Sequence, residues 1–248
     1  MKMLLNGCLG RMGRAITTMA ADRGLTVVAG VDRVSGEAAY PVCTALTDCP
    51  AADVVIDFSS PTALAEELAY VTAHKLPLVL CTTGLSAEQI EAVKAAAQQV
   101  PIFFSSNMSL GVAVLSALTK KAAAVLGDTY DIEIVEMHHN QKLDAPSGTA
   151  LMLADAAKAG LSFEPEYTYD RHTRRQKRDK KEIGIASLRG GTVVGEHSVY
   201  FAGEQETIVL SHSAQSRSVF ASGALAAAGF LVGKPAGLYT MEDILAGV

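Results

Sequence analysis

The chain has 248 residues, 49% of them apolar and 19% charged, which excludes intrinsic disorder and allows one large domain or two small ones with full cores. A formal net charge of −5 argues against nucleic acid or an anionic membrane as the main partner. No apolar run reaches the roughly 18 residues that span a bilayer, and Met1–Asn6 is too short before Gly7 for the core of a secretory signal.

Lys2–Asn6 reads as a short apolar strand, and Arg14–Arg23 follows with helical spacing. The β-branched run Leu25–Val31 is the second strand and Val54–Asp57 the third. Pro61 opens an alanine-rich helix to His74, and Leu78–Cys81 is the fourth strand. Ser86 caps a helix to about Gln99 with Glu88 in its first turn, and Ile102–Phe104 is the fifth strand. Strands alternating with helices across short turns predict a parallel sheet with crossover helices. From Leu110 the pattern changes. A long apolar helix, Val112–Leu126, leads into an extended run, Asp131–Met137, and a polar loop, with another helix opening near Ser147. Ile183–Leu188, Thr192–Phe201 and Glu206–Ser213 are strand-like and read as a largely antiparallel sheet. Val219–Leu231 is helical, and Gly233–Leu238 is a Gly/Pro turn before a short last helix. There is no internal repeat. The expected architecture is α/β: a parallel-sheet domain of residues 1–107 and 217–248, and an α+β domain of residues 108–216.

Gly7, Gly10 and Gly13 fall between the first strand and first helix in GxxGxxG spacing. Glycines there permit a tight turn, let backbone N–H groups approach a pyrophosphate, and let the helix pack closely on the sheet. Asp32 ends the second strand about 20 residues on, where a carboxylate can bond an adenosine ribose 2′-OH. Arg33 can instead meet a 2′-phosphate, so NADH and NADPH both fit.

The most informative stretch runs from Glu136 to Ala150. His138 and His139 point in opposite directions if the strand continues through them. Lys142, four residues after His138, lies in a loop that can bring both to one pocket. Pro146, Ser147 and Gly148 open a helix whose first N–H groups, at Gly148 and Thr149, suit a carboxylate or phosphate. A lysine, an imidazole and a helix start together suit a small acidic substrate that must be held and protonated. His138, His139 and Asp144 lack the HExxH or paired-cysteine spacing of a metal site, and no metal is expected.

On these residues the chain resembles the 4-hydroxy-tetrahydrodipicolinate (dihydrodipicolinate) reductases of the diaminopimelate route to lysine. The likeness covers nearly the whole chain: Gly7–Gly13, Asp57–Ser59, Cys81–Gly84, Ser105–Val112, the highly specific His138–Thr149 block, Arg189–Gly191, Gly195–His197 and Phe220–Ala224. The resemblance implies a Rossmann domain plus a substrate and oligomerisation domain. It implies that Gly7, Cys8, Leu9, Gly10, Arg11 and Met12 wrap the cofactor pyrophosphate and that Asp32 and Arg33 contact the adenosine ribose. Phe58, Cys81, Thr82, Thr83, Ser105, Ser106, Asn107 and Met108 would line the nicotinamide half. His138 and Lys142 would be the catalytic pair, Lys142 the proton donor, and His139, Ser147, Gly148 and Thr149 would bind the substrate dicarboxylate. It further implies a cytoplasmic homotetramer joined through the second sheet. Leu9, Cys81 and Asp32 depart from the family's frequent glycine, glycine and glutamate.

Arg171–Lys181 holds seven Lys or Arg in eleven residues. Without flanking aromatics it reads as a solvated, mobile loop, closure over an anionic substrate being the functional alternative. Cys8, Cys43, Cys49 and Cys81 have no CxxC spacing and read as free thiols of a reducing compartment. His197 and His212 lie on strand patterns and read as packed or surface histidines. Competing readings are another two-domain dehydrogenase and a dinucleotide-sensing regulator. The latter would need a helix-turn-helix, and none is found.

Overall fold

A computed structural model describes residues 1–34, 36–105 and 107–247 of the chain. The chain folds as two compact units, Met1–Ser109 with Arg217–Val248, and Leu110–Ser216.

The first unit is built on β1 (Lys2–Asn6), β2 (Thr26–Val31), β3 (Val42–Cys43), β4 (Val54–Asp57), β5 (Leu78–Leu80) and β6 (Pro101–Phe104). Helices α1 (Arg11–Asp22), α2 (Leu64–His74) and α3 (Ala87–Ala97) make the crossovers that parallel strands require. A single turn of 3₁₀ helix, Pro61–Ala63, precedes α2, because Pro61 supplies a fixed φ but no N–H. Ser86 caps α3 in a capping box with Gln89. Every pairing in this sheet is parallel. The central strands are therefore buried on both faces, as the unbroken burial of Val54–Asp57 shows. β1 lies between β2 and β4, so successive connections leave it in opposite directions. A crevice opens at the carboxyl ends of such strands.

The second unit holds α4 (Leu110–Leu126), β7 (Asp131–His138), α5 (Gly148–Lys158), β8 (Glu166–Thr168), β9 (Glu182–Arg189), β10 (Gly195–Ala202) and β11 (Thr207–Ala214). Strand order is β11-β10-β7-β9-β8. This sheet is mixed, which corrects the largely antiparallel expectation. β10 runs antiparallel to β11 and β7, while β9 runs parallel to β7 and β8. The physical reason is α5, a crossover that returns the chain to the sheet in the direction of β7. Ile132, Ile134, Ile183, Ile185, Val199 and Phe201 bury one face of the sheet in a core shared with Ala150, Leu153, Ala154 and Ala157 of α5. The small alanines let helix and sheet approach closely.

The chain then rejoins the first unit through α6 (Ser218–Leu231), β12 (Gly237–Tyr239) and α7 (Met241–Ala246). β12 adds to the outer edge of the first sheet beside β6, where the sequence reads only as a turn. β3 and β12, two and three residues long, are too short for any periodicity to show. No helix among the described residues is long and apolar enough to cross a membrane.

Candidate active site

In the first unit, the turn after β1 is shaped by steric necessity. Gly7 has φ of +77°, and a Cβ there would stand 2.5 Å from the Phe58 carbonyl oxygen at the end of β4. A Cβ at Gly13 would lie 2.4 Å from the carbonyl oxygens of both Gly7 and Cys8, so α1 packs directly against its own entry turn. Gly10 starts α1 without a side-chain cap, and no acidic residue sits in the first turn. That leaves a helix start suited to an anion.

Leu9, standing where many such turns have glycine, meets Gly36: a Cβ there would lie 2.6 Å from its Cδ1. Cys8 is buried over Gly30 in the same way. Asp32 fixes this loop, accepting the Leu9 N–H at 3.0 Å and the Arg33 N–H at 2.9 Å.

A cavity of about 800 Å³ opens beside this turn. Gly7, Gly10, Asp32, Arg33 and Phe58 line it among the expected residues, and Thr44–Thr47, Ser59–Ser60 and part of α2 complete it. Of those last segments the sequence singles out Ser59 alone. Their one signal was Asp57–Ser59, which places the cavity's rim at the end of β4.

The other described residues expected near the cofactor are not among those lining this cavity. Thr82 donates to the buried Asp57 carboxylate, which also accepts the Ser59 N–H at 2.9 Å. Burial pushes the Asp57 carboxyl up against the lowering effect of these bonds. The Cys81 thiol is buried and held well above its ordinary range by desolvation, so it is inert as a nucleophile. Ser105 Oγ donates to the Asn107 carbonyl at 2.8 Å, and Met108 is buried with its carbonyl against Gly223 of α6. Thr83 is exposed. Arg11 and Met12 form the first turn of α1. Ser106 lies outside the described residues.

In the second unit, β7 alternates strictly, with Ile132, Ile134, Glu136 and His138 on its buried face. The strand ends at His138, so His139 is placed by the turn, its N–H on the Val193 carbonyl at 2.8 Å, and not by strand alternation. His138 Nδ1 lies 2.6 Å from Glu136 Oε2. Arg189 on β9 forks onto Glu136 with two contacts of 2.8 Å, and the Ser147 N–H reaches Glu136 Oε1 at 3.1 Å.

Ser147 is the N-cap of α5. Its Oγ accepts from Ala150 N at 3.1 Å and lies 3.0 Å from His197 Nε2. Gly148 starts the helix with open space where a Cβ would be, and Thr149 follows in the same turn. Lys142 pairs with Asp144 at 2.9 Å. Thus His138, Ser147 and the start of α5 are tied together through one carboxylate that the sequence reading did not assign. Its only signal was an acidic residue two positions before a histidine on the same strand face.

Burial favours the neutral form of the Glu136 carboxyl. The hydrogen bonds from Arg189, Ser187, His138 and Ser147 outweigh it and bring the carboxyl down to about 2. His138 is held below the usual imidazole range by burial, opposed by Glu136 and assisted by the charges of Lys142 and Arg189. His197, packed edge-on to His138, is pushed down to about 4 by burial and by His138. Both shifts favour the neutral imidazole.

Three arginines of the basic run are ion-paired. Arg171 bridges Glu133 and Glu182 at 2.8 and 3.0 Å, and Arg174 also pairs with Glu182. Arg178 joins Glu133 at 2.9 Å and Asp131 at 3.1 Å. These three arginines pair with acids of β7 and β9, while Arg175, Lys177, Lys180 and Lys181 of the same run are exposed, as a solvated loop requires. Among the described residues no group of three or more His, Cys, Asp or Glu is placed to hold a metal ion.

A Rossmann-like parallel sheet with a glycine turn at the reversal point, carried with a second mixed-sheet unit, defines a two-unit α/β protein of the dinucleotide-binding type. Two family models match, dihydrodipicolinate reductase N-terminus over residues 1–108 and C-terminus over residues 111–245. Curated relatives named 4-hydroxy-tetrahydrodipicolinate reductase include that of Caldanaerobacter subterraneus subsp. tengcongensis, 50% identical over 98% of each chain. The Clostridium novyi protein of the same name is 47% identical over 98% of each chain. The chain belongs to the dihydrodipicolinate reductase family. Its fold is shared with a dipicolinate-bound dihydrodipicolinate reductase from Paenisporosarcina sp. TG-14, at TM-score 0.80 and 24% identity over 98% of each chain. It is also shared, more distantly, with scyllo-inositol dehydrogenase from Lactobacillus casei, at TM-score 0.61 and 15% identity over 99% of this chain and 92% of the other.

Proposed function

We propose that this chain reduces 4-hydroxy-tetrahydrodipicolinate to tetrahydrodipicolinate with NADH or NADPH, in the diaminopimelate route to lysine. The observation that carries the reading is the clustering of Lys142, His138 and the Ser147-capped start of α5 within twelve residues, in a chain 50% identical to a reductase of that name.

The residues present fit a pyridine dinucleotide. The bare α-carbons of Gly7 and Gly13 form a turn that no side chain can enter, beside an uncapped helix start. Gly7 to Met12 would hold the pyrophosphate. Asp32 and Arg33 would hold the adenosine ribose from the cavity wall. Phe58 and the segments Cys81–Thr83 and Ser105–Met108, Ser106 included, would line the nicotinamide half. When bound, the nicotinamide supplies the hydride.

The chain's own residues do the rest. A cyclic imine with two carboxylates is anionic, and His139, Ser147, Gly148 and Thr149 receive its carboxylates at the start of α5. The 4-hydroxyl leaves as water, and Lys142 supplies the proton that balances the electron pair delivered to the resulting unsaturated ring. Asp144 is 58% exposed, so its pair with Lys142 is screened, worth at most about 1 kcal/mol, and open to displacement by a substrate carboxylate.

We also place the working enzyme in the cytoplasm as a homotetramer joined through the second sheet. Exposed Leu188, Ile208 and Val209 on β9 and β11 support that use of the sheet.

The direct test follows NADH and NADPH absorbance with the freshly made condensation product of pyruvate and aspartate semialdehyde. Substrate-dependent oxidation is expected. Cofactor binding without turnover would overturn the reading in favour of a sensor.

A further inference from the structure

Glu136 is fully buried, and its two carboxylate oxygens gather donors from three elements. Oε2 receives His138 Nδ1 from the end of β7 and Arg189 Nη1 from β9. Oε1 receives Arg189 Nη2 and the backbone N–H of Ser147 at the start of α5. An ionised carboxylate only accepts, so the proton between Glu136 and His138 belongs to Nδ1, and Nε2 carries the lone pair. Nε2 faces the bare α-carbon of Gly195, where a Cβ would stand 3.0 Å away. The Ser147 N–H fixes the other arm, because the same serine caps α5 through Oγ.

We propose that Glu136 is the positioning residue of this site: a single carboxylate sets the tautomer of His138 and holds the N-terminal turn of α5 in register with it. The inference rests on the reading of His138 and the α5 start as the substrate site. It goes beyond that reading by assigning the control of both to a fully buried residue whose two oxygens are taken up by protein donors. Arg189 is its counter-charge. A carboxylate bonded to a histidine Nδ1 orients the ring and stabilises one tautomer in the same manner in hydrolytic triads.

The groups facing His138 are Glu136 on β7, Arg189 on β9, His197 on β10, and Lys142 and Asp144 in the loop after β7. Removing the Glu136 charge leaves burial, Lys142 and Arg189 acting on the ring, and all three favour the neutral imidazole. The midpoint of His138 therefore moves further down in Glu136→Gln.

The test combines long-range ¹H–¹⁵N spectra of the full chain labelled at histidine with steady-state kinetics. In the wild type, His138 is expected as the Nδ1–H tautomer, with Nε2 the nitrogen that titrates. In Glu136→Gln, that preference weakens, because a neutral amide oxygen is a poorer acceptor than a carboxylate, and the midpoint falls. There kcat drops about 10- to 100-fold and KM for the imine rises, with NADH affinity unchanged and Glu136→Asp recovering part of the loss. An Nε2–H tautomer in the wild type overturns the proposal, even if no variant folds. So does a Glu136→Gln enzyme with kcat within twofold and an unmoved pH profile. Failure of the wild type to reduce the imine would overturn the proposed function alone, since the tautomer is read without turnover.

Discussion

Arg189 and Glu136 meet as two planar forks, Nη1 to Oε2 and Nη2 to Oε1, each 2.8 Å. The carboxylate is fully buried and the arginine side chain 21% exposed, so the pair sits where charge is costly unless matched. The same carboxylate carries His138 and Ser147, and the ion pair is therefore structural support for the whole site.

Breaking that pair exposes its value. Arg189→Met leaves a buried carboxylate unmatched and should destabilise the fold by about 3 kcal/mol at pH 7, measured by urea unfolding. The pH dependence gives the sign. In the wild type Glu136 titrates below its ordinary 4.5, at about 2. Its contribution is thus present above pH 4.5 and is lost as pH falls toward 2. In Arg189→Met burial dominates and raises the carboxyl, so the variant's deficit shrinks on acidification.

At the first unit's turn, Gly7→Ala combines a positive φ with a Cβ 2.5 Å from the Phe58 carbonyl oxygen. The turn must shift, at a strain cost of about 1–3 kcal/mol. NADH affinity, followed by fluorescence titration, should fall about tenfold or more while imine binding is unaffected. Unchanged NADH affinity would remove this turn from the cofactor site.

Asp32 both braces Leu9 and lines the cavity. Asp32→Ser removes the charge that repels a 2′-phosphate and shortens and weakens the acceptor offered to a 2′-OH. The ratio of kcat/KM for NADPH over NADH should rise about tenfold. A ratio that stays put would place ribose recognition elsewhere.

Much of this was legible in the sequence where local signals agree with the fold. Apolar runs such as Val54–Asp57 declare buried strands, Ser86 and Ser147 declare helix starts, and the glycines at positions 7, 10 and 13 declare a turn that must pack tightly. What stayed hidden depends on partners distant in the chain. The parallel pairing of β7 with β9 follows from a crossover, which the residues of Ile183–Leu188 by themselves cannot reveal. Arg171 and Arg178 look solvated until Glu133, some 40 residues earlier, is placed beside them. Glu136 reads as one polar residue in a strand, and only burial under α5 turns it into the centre of the site. Adjacent Glu66 and Glu67 are indistinguishable by composition. The fold exposes the first and buries the second against Asn6 at 3.1 Å.

The central claim, that Lys142 delivers the proton to an anionic imine held at the start of α5, is tested most directly by Lys142→Ala. Its turnover with the pyruvate–aspartate semialdehyde condensation product should be measured beside its dissociation constant for NADH. The account predicts kcat lower by about 10²- to 10⁴-fold with cofactor affinity within twofold of the wild type. Near-normal turnover in Lys142→Ala would contradict it.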